Sequence, residues 1–315
     1  MRSVLLPNFF IVGAPKSGTT SLYHYLDQHP RIFMSPVKEP CWFASEMRLE
    51  NFAREYRSND ALDPAALKAY LRGPRTGKRF GGLVSTWEDY LSLFEGATDE
   101  VAIGEASVCY LWSPTAARNI AARIPDARIV AVLRHPAERA WSQYLHGVAN
   151  GYVRKSFREQ IEACMKSRNP EFSPIHPFLE FGMYYEQIKA YFELFPRESI
   201  RIYFYEDGLA AIVADLFCFL NVDPFEADVS QKHLDSSNTE RATPLYATLR
   251  KHHLLRVFRK LVPGWIRPMV HRLAFRKLTV SAMPEEDRRF LCGYYRDDVM
   301  RLAVLLDRDL HSWLV

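Results

Sequence analysis

Cysteine is scarce and unpatterned in this chain. The five thiols, Cys41, Cys109, Cys164, Cys218 and Cys292, are odd in number and form neither a CxxC nor a Cys/His cluster. That argues against a disulfide framework and a zinc site, and it fits a reducing, cytoplasmic setting. Long apolar runs are also missing. The N-terminal run follows only Arg2, is interrupted by Pro7 and leads to no small-residue cleavage site, so neither a secretory signal nor a membrane anchor is expected. No repeat, low-complexity tract or Gly/Ser-rich linker divides the chain. One domain over 1–315 is therefore expected, with a core at about 8–244 and a basic helical part at about 245–315. Nor does any strand end in an aspartate placed to hold magnesium: RIVAVL at 128–133 runs into Arg134. Charge of either sign is modest, since 41 Lys and Arg against 37 Asp and Glu leave +4. That balance carries little weight alone; it fits a small partner bearing phosphate or sulfate, and no nucleic-acid partner is expected.

Short apolar runs alternate with helical patterns. Strands are expected at FFIVG before residue 14, at Val101–Gly104, at Arg128–Leu133 and at Ile200–Tyr205. Helices are expected at Thr19–His29, Phe52–Tyr56, Pro64–Leu71, Thr86–Phe94, Pro114–Arg123, after Pro136, and at Tyr184–Phe195 and Leu209–Leu220. Arg31–Ser45 reads as irregular. The alternation predicts an α/β fold: a mostly parallel central sheet flanked by helices, with a P-loop-like nucleotide site and a helical C-terminal extension. Acidic residues are absent from Arg241 to Pro284, while basic ones gather between Arg250 and Lys277. The simplest reading of 250–277 is an amphipathic helix with a solvated basic face; the sharper one is a rim for an anionic glycan or a membrane surface.

The densest signal is Gly13-Ala-Pro-Lys16-Ser17-Gly18-Thr19-Thr20-Ser21, placed between a strand and a helix. A helix N-terminus offers unpaired N–H groups and a positive dipole end, and the two glycines permit a tight backbone path, so the segment suits a phosphate. A nucleoside-triphosphate loop has its lysine where Thr19 stands; here the cation is Lys16, inside the loop. A phosphate ester bound without a metal is the expectation. A second station is Arg134 with Ser142, where a guanidinium fork at a strand end and a hydroxyl can hold another phosphate. Arg139, between them, is expected to face solvent.

Residues 10–22 and 128–142 resemble the 5′-phosphosulfate and 3′-phosphate motifs of sulfotransferases that use 3′-phosphoadenosine 5′-phosphosulfate (PAPS), closest to the heparan sulfate and bacterial branch. The resemblance covers most of the chain to about Pro244. It implies a donor site of Lys16, Ser17, Gly18, Thr19, Thr20, Ser21, Arg134 and Ser142, with Asn238 and Arg241 from a late loop at Asp235–Pro244. It implies release of adenosine 3′,5′-bisphosphate, no metal, and a hydroxyl- or amine-bearing acceptor, a carbohydrate or a small alcohol. Lys38-Glu39-Pro40-Cys41-Trp42-Phe43 is similar to the K-E-x-x-F-F segment of that branch, which implies Glu39 as general base and Lys38 as electrostatic support. His24, His29 and His135 stand as alternative bases. Glu105 and Tyr110 match an E-x-[ST]-x-x-Y segment bordering the acceptor cleft, where Glu105 assists the base or holds Lys38. Gly182–Gln187 resembles a helix start that supports packing. A P-loop kinase and a non-catalytic binder of sulfated glycans are the rival readings, and oligomeric state has no signal in the sequence.

Overall fold

The computed structural model describes residues 5–57, 59–167, 171–173, 176–230, 240–242, 275–277 and 282–315. Five strands form the main sheet: β1 (Phe9–Gly13), β2 (Ile32–Met34), β5 (Ala102–Ala106), β6 (Arg128–Leu133) and β7 (Ile200–Phe204). Their order is β2-β5-β1-β6-β7, and every pairing is parallel. Both faces are covered, which is why β1 and β6 read as unbroken apolar runs. Phe9, Ile11, Val130 and Val132 enter one core with α1 (Thr19–Leu26) and α9 (Leu209–Phe219). Phe10, Val12, Ile129, Ala131 and Leu133 enter the other. The second core is built with α3 (Pro64–Arg72), α4 (Trp87–Ser92), α5 (Ala116–Arg123), α6 (Pro136–Ala149), α8 (Tyr184–Phe192) and α10 (Glu285–Leu306).

Local chemistry starts these helices close to where the sequence places them. Asp63 accepts from the N–H groups of Ala65 and Ala66 with Pro64 at the first helical position of α3, and Thr86 accepts from Asp89 N–H at the start of α4. At α6 the cap is His135, whose Nδ1 accepts from Ala137 N–H. Asp298 on α10 takes the N–H groups of Tyr184 and Tyr185, so a C-terminal helix supplies the cap that the start of α8 lacks. Gly182 lies where any side chain would meet the Tyr295 ring at 3.0 Å, so this close approach needs glycine.

Two elements lie inside the stretch expected to be irregular. Besides β2 there is β3 (Val37–Lys38), which pairs with β4 (Arg79–Phe80). Strands of two and three residues are too short to show a period; β5, about 70 residues on, supplies the pairing for β2. A helix at Phe157–Lys166, α7 in chain order after the short α2 (Arg54–Arg57), was not expected either, although Ser156 and Glu159 form its capping box and carry a legible signal. Within the late polar loop, Glu240–Ala242 is a strand, β8, pairing antiparallel with β9 (Phe275–Lys277) and packing beside α6. Those three residues of the basic segment are therefore extended rather than helical, because β8 offers them a ladder. Asn238 and residues 250–274 lie outside the described residues. Among the described residues, no helix is long and apolar enough to cross a membrane.

Candidate active site

The carboxyl ends of β5, β1 and β6 lie side by side; β1 and β6 each lead into one station of the site and β5 anchors the third, as ligand sites in open parallel sheets do. β1 leads into the phosphate loop. Lys16 sits in the left-handed region with φ 65°, and Gly18 follows with φ 83°. A Cβ on Gly18 would come within 3.0 Å of Leu209 and Tyr205, so the turn requires glycine on both conformational and steric grounds. With this path, Lys16 C=O turns away to accept from Arg134 Nη1 at 3.1 Å. Among the described residues, nothing accepts from the N–H groups of Ser17, Gly18, Thr19 or Thr20. Ser17 Oγ is buried and has no partner among the described residues, and Thr19 and Ser21 are buried close to it in sequence. An orphaned hydroxyl and a turn of unspent N–H donors at a helix start are what a phosphate would satisfy.

β6 leads into Arg134, His135 and α6. The Arg134 guanidinium lies 4.9 Å from the centre of the Tyr205 ring and 3.8 Å from Glu138, which is itself bound by Arg288. Tyr184 donates to Arg134 C=O at 2.9 Å. Ser142, two turns along α6, is buried on the same helix. Arg139 overturns the expectation of a solvated residue: it is fully buried. It donates to Gln143 Oε1 at 2.6 Å and to Phe178 C=O, while its Nε has no partner and no described carboxylate pairs with it. Gln143, one turn further along, shares the buried face of α6 with it, a spacing that could have signalled this. Burial, first of all, and then the charges of Arg134 and Arg139 bring the Lys16 ammonium down to about 8; Glu39 partly offsets this and Lys38 adds to it. Those causes place Lys16, Arg134, Arg139, Lys38 and Glu39 within one electrostatic neighbourhood, richer in positive than negative charge.

The third station faces the loop from β3. Glu39 also has φ > 0, at 67°, and its N–H donates to Ala106 C=O at the end of β5. Its carboxylate is bonded by Lys38 Nζ at 3.0 Å. The Lys38 side chain is 2% exposed and the Glu39 side chain 38%, so a buried ammonium holds a carboxylate that is open to solvent. Glu105 does not hold Lys38. It is wholly buried, and its bonds come from Ser107, Tyr110 and Tyr90. Tyr110 is equally buried, so both lie beneath the cleft wall rather than on it. Burial pushes the Glu105 carboxyl up to about 7 against the pull of those three donors. Cys41 and Cys109, far apart in sequence, bring their sulfurs to 3.3 Å.

Two of the three histidines have structural work. His29 Nδ1 accepts from Arg31 N–H and its Nε2 meets Asp223 C=O at 2.9 Å. His135 caps α6, and burial lowers its imidazole to about 4. His24 lies against the Phe80 ring at 5.4 Å. Asn238 is outside the described residues, and Arg241 is placed only by its position on β8. No group of three or more metal-ligating side chains occurs among the described residues.

The chain is similar to several known sulfotransferases. Mouse carbohydrate sulfotransferase 15 is 27% identical over 278 residues, which cover 75% of this chain and 48% of that protein. The bifunctional heparan sulfate N-deacetylase/N-sulfotransferase 1 of Xenopus laevis is 24% identical over 98% of this chain and 31% of its own length. The chain thus spans about half or less of these relatives. The crystal structure of a sulfotransferase from Alicyclobacillus acidocaldarius superposes with a TM-score of 0.69 at 27% identity, covering 98% of this chain and 99% of that one. The sulfotransferase family profile matches residues 7–179, more than half of the 315 residues and all three stations of the cleft, and the chain belongs to that family.

Proposed function

We propose that the protein transfers a sulfuryl group from PAPS to a hydroxyl of a carbohydrate acceptor. The observation that carries this reading is the cluster of Lys16, Arg134 and Arg139 with unspent N–H groups and a buried Ser17 hydroxyl, opposite an exposed carboxylate at Glu39. The N–H groups of Ser17–Thr20 and the hydroxyls of Thr19–Ser21 hold the 5′-phosphate; Arg134 and Ser142 hold the 3′-phosphate. Asn238 and Arg241 complete the donor site from the late loop. The acceptor oxygen attacks sulfur, the bond from sulfur to the bridging oxygen breaks, and its electron pair stays on the leaving 5′-phosphate. Lys16 neutralises that growing charge, an effect worth about 3 kcal/mol in a water-poor site. Glu39 takes the acceptor proton, with Lys38 fixing its orientation. The products are adenosine 3′,5′-bisphosphate and a sulfate ester.

The carbohydrate class is carried over from the names of the relatives, and the Glu105 and Tyr110 hydrogen bonds shape the wall next to it. Calorimetry tests the donor: adenosine 3′,5′-bisphosphate should bind without magnesium. Silence towards the bisphosphate with magnesium-dependent uptake of ATP would favour a kinase and overturn the proposal. A screen of chondroitin, heparosan and small alcohols with labelled PAPS tests the acceptor; labelling of the alcohols alone would overturn the carbohydrate assignment.

A further inference from the structure

Glu39 and Cys41 both have positive φ, at 67° and 57°, within three residues of each other. Non-glycine residues hold such conformations only where the surroundings over-determine them. The strap that carries Glu39 is fastened at three points to β5 and the turn after it. Glu39 N–H donates to Ala106 C=O at 2.9 Å. Cys41 N–H donates to Ser107 Oγ at 3.1 Å, and that hydroxyl donates to Glu105 Oε2 at 2.7 Å. Phe43 N–H donates to Tyr110 OH at 3.3 Å, and that hydroxyl donates to Glu105 Oε1 at 2.7 Å. Tyr90 OH adds a third donor at 3.2 Å. In its ionised form Glu105 only accepts, so Ser107 and Tyr110 donate inward and keep their lone pairs for the Cys41 and Phe43 N–H groups.

We infer that Glu105 is a positioning residue for the reaction: through Ser107 and Tyr110 it fixes the backbone at Cys41 and Phe43, directly after Glu39, and so fixes the Glu39 carboxylate. This rests on Glu39 being the base, as proposed above. Glu105 itself is fully buried, beneath the hydroxyls it holds. The arrangement also accounts for a buried carboxylate with no cationic partner among its hydrogen bonds: its work is to orient two hydroxyls.

The test combines hydrogen exchange with turnover, read as bisphosphate release from PAPS with water and with chondroitin or heparosan as acceptor. S107A should lose protection at the Cys41 amide, and Y110F at the Phe43 amide, each by about tenfold or more. E105A should lose both and lower turnover about a hundredfold, while bisphosphate affinity stays within about threefold. In the Glu39→Gln background, E105A should add no more than about twofold, because both act on one proton transfer. Unchanged exchange in S107A and Y110F overturns the inference, as does multiplication of the E105A and E39Q losses. If E39Q is fully active, the base assignment fails instead, and the exchange results still judge the strap. Should E105A not fold, S107A and Y110F carry the same decision with the carboxylate intact.

Discussion

Around Lys16, three other cations share one carboxylate neighbour, Ser17 Oγ is buried without a partner, and four successive N–H groups face no acceptor among the described residues. Around Glu105, three hydroxyls converge on a buried carboxylate, and two of them pass the constraint on to backbone N–H groups. The first region leaves donors and positive charge uncompensated among the described residues, as the proposed anion site requires. The second is saturated before any ligand arrives, so the proposed base, Glu39, is held in place in advance. A transfer enzyme benefits from both: affinity comes from groups left unspent, and orientation comes from groups already satisfied.

The comparison breaks most visibly at the base. Glu39→Gln should lower turnover by about 10²–10⁴-fold, the usual worth of a general base, while bisphosphate affinity measured by calorimetry stays within about threefold. A loss of affinity equal to the loss of turnover would merge the two regions. Lys16→Ala should instead damage both quantities, with turnover down about a hundredfold. Arg134→Ala should act mainly on affinity, by about ten- to a hundredfold, the worth of a charged hydrogen bond.

A pH series sharpens the difference further. Lys16 titrates near 8 when the protein is unliganded, and a bound dianion favours its charged form. Affinity for the bisphosphate should therefore hold below pH 8 and fall above it, by up to about tenfold per pH unit, with proton uptake on binding. Calorimetry in buffers of different ionisation heat reads both effects. Arg139→Met removes one of the depressing charges and should move the fall to higher pH. The smallest effect is expected at His135. Its replacement by alanine removes the α6 cap, costing about 1 kcal/mol and about 2–4 °C in Tm. Asn, which also caps, should lose less.

The loop around Lys16 and the turn at Arg134 were legible as structure because their signals are local. Gly13–Ser21 and Arg134–Ser142 each combine a strand end, a turn and a helix start within a few residues, and sequence spacing alone sets their geometry. Arg139 was misread because its partner carbonyl at Phe178 lies 39 residues away. The base region was legible only as a family pattern. Nothing local says that Glu105 turns inward, since Tyr90, Tyr110 and the strap meet it only once β5 and α4 have packed. Likewise β2 and β3 take their form from β5 and β4 rather than from their own periodicity.

The sequence by itself determined the parallel α/β architecture and the tight strand-to-helix loop that carries Lys16, because buried strands, caps and turn glycines act over a few residues. The tertiary structure alone decided that Arg139 is buried and that Glu105 lies beneath the strap. Those outcomes depend on desolvation and hydrogen bonds between segments distant in the chain, and they exist only after the sheet has brought the segments together.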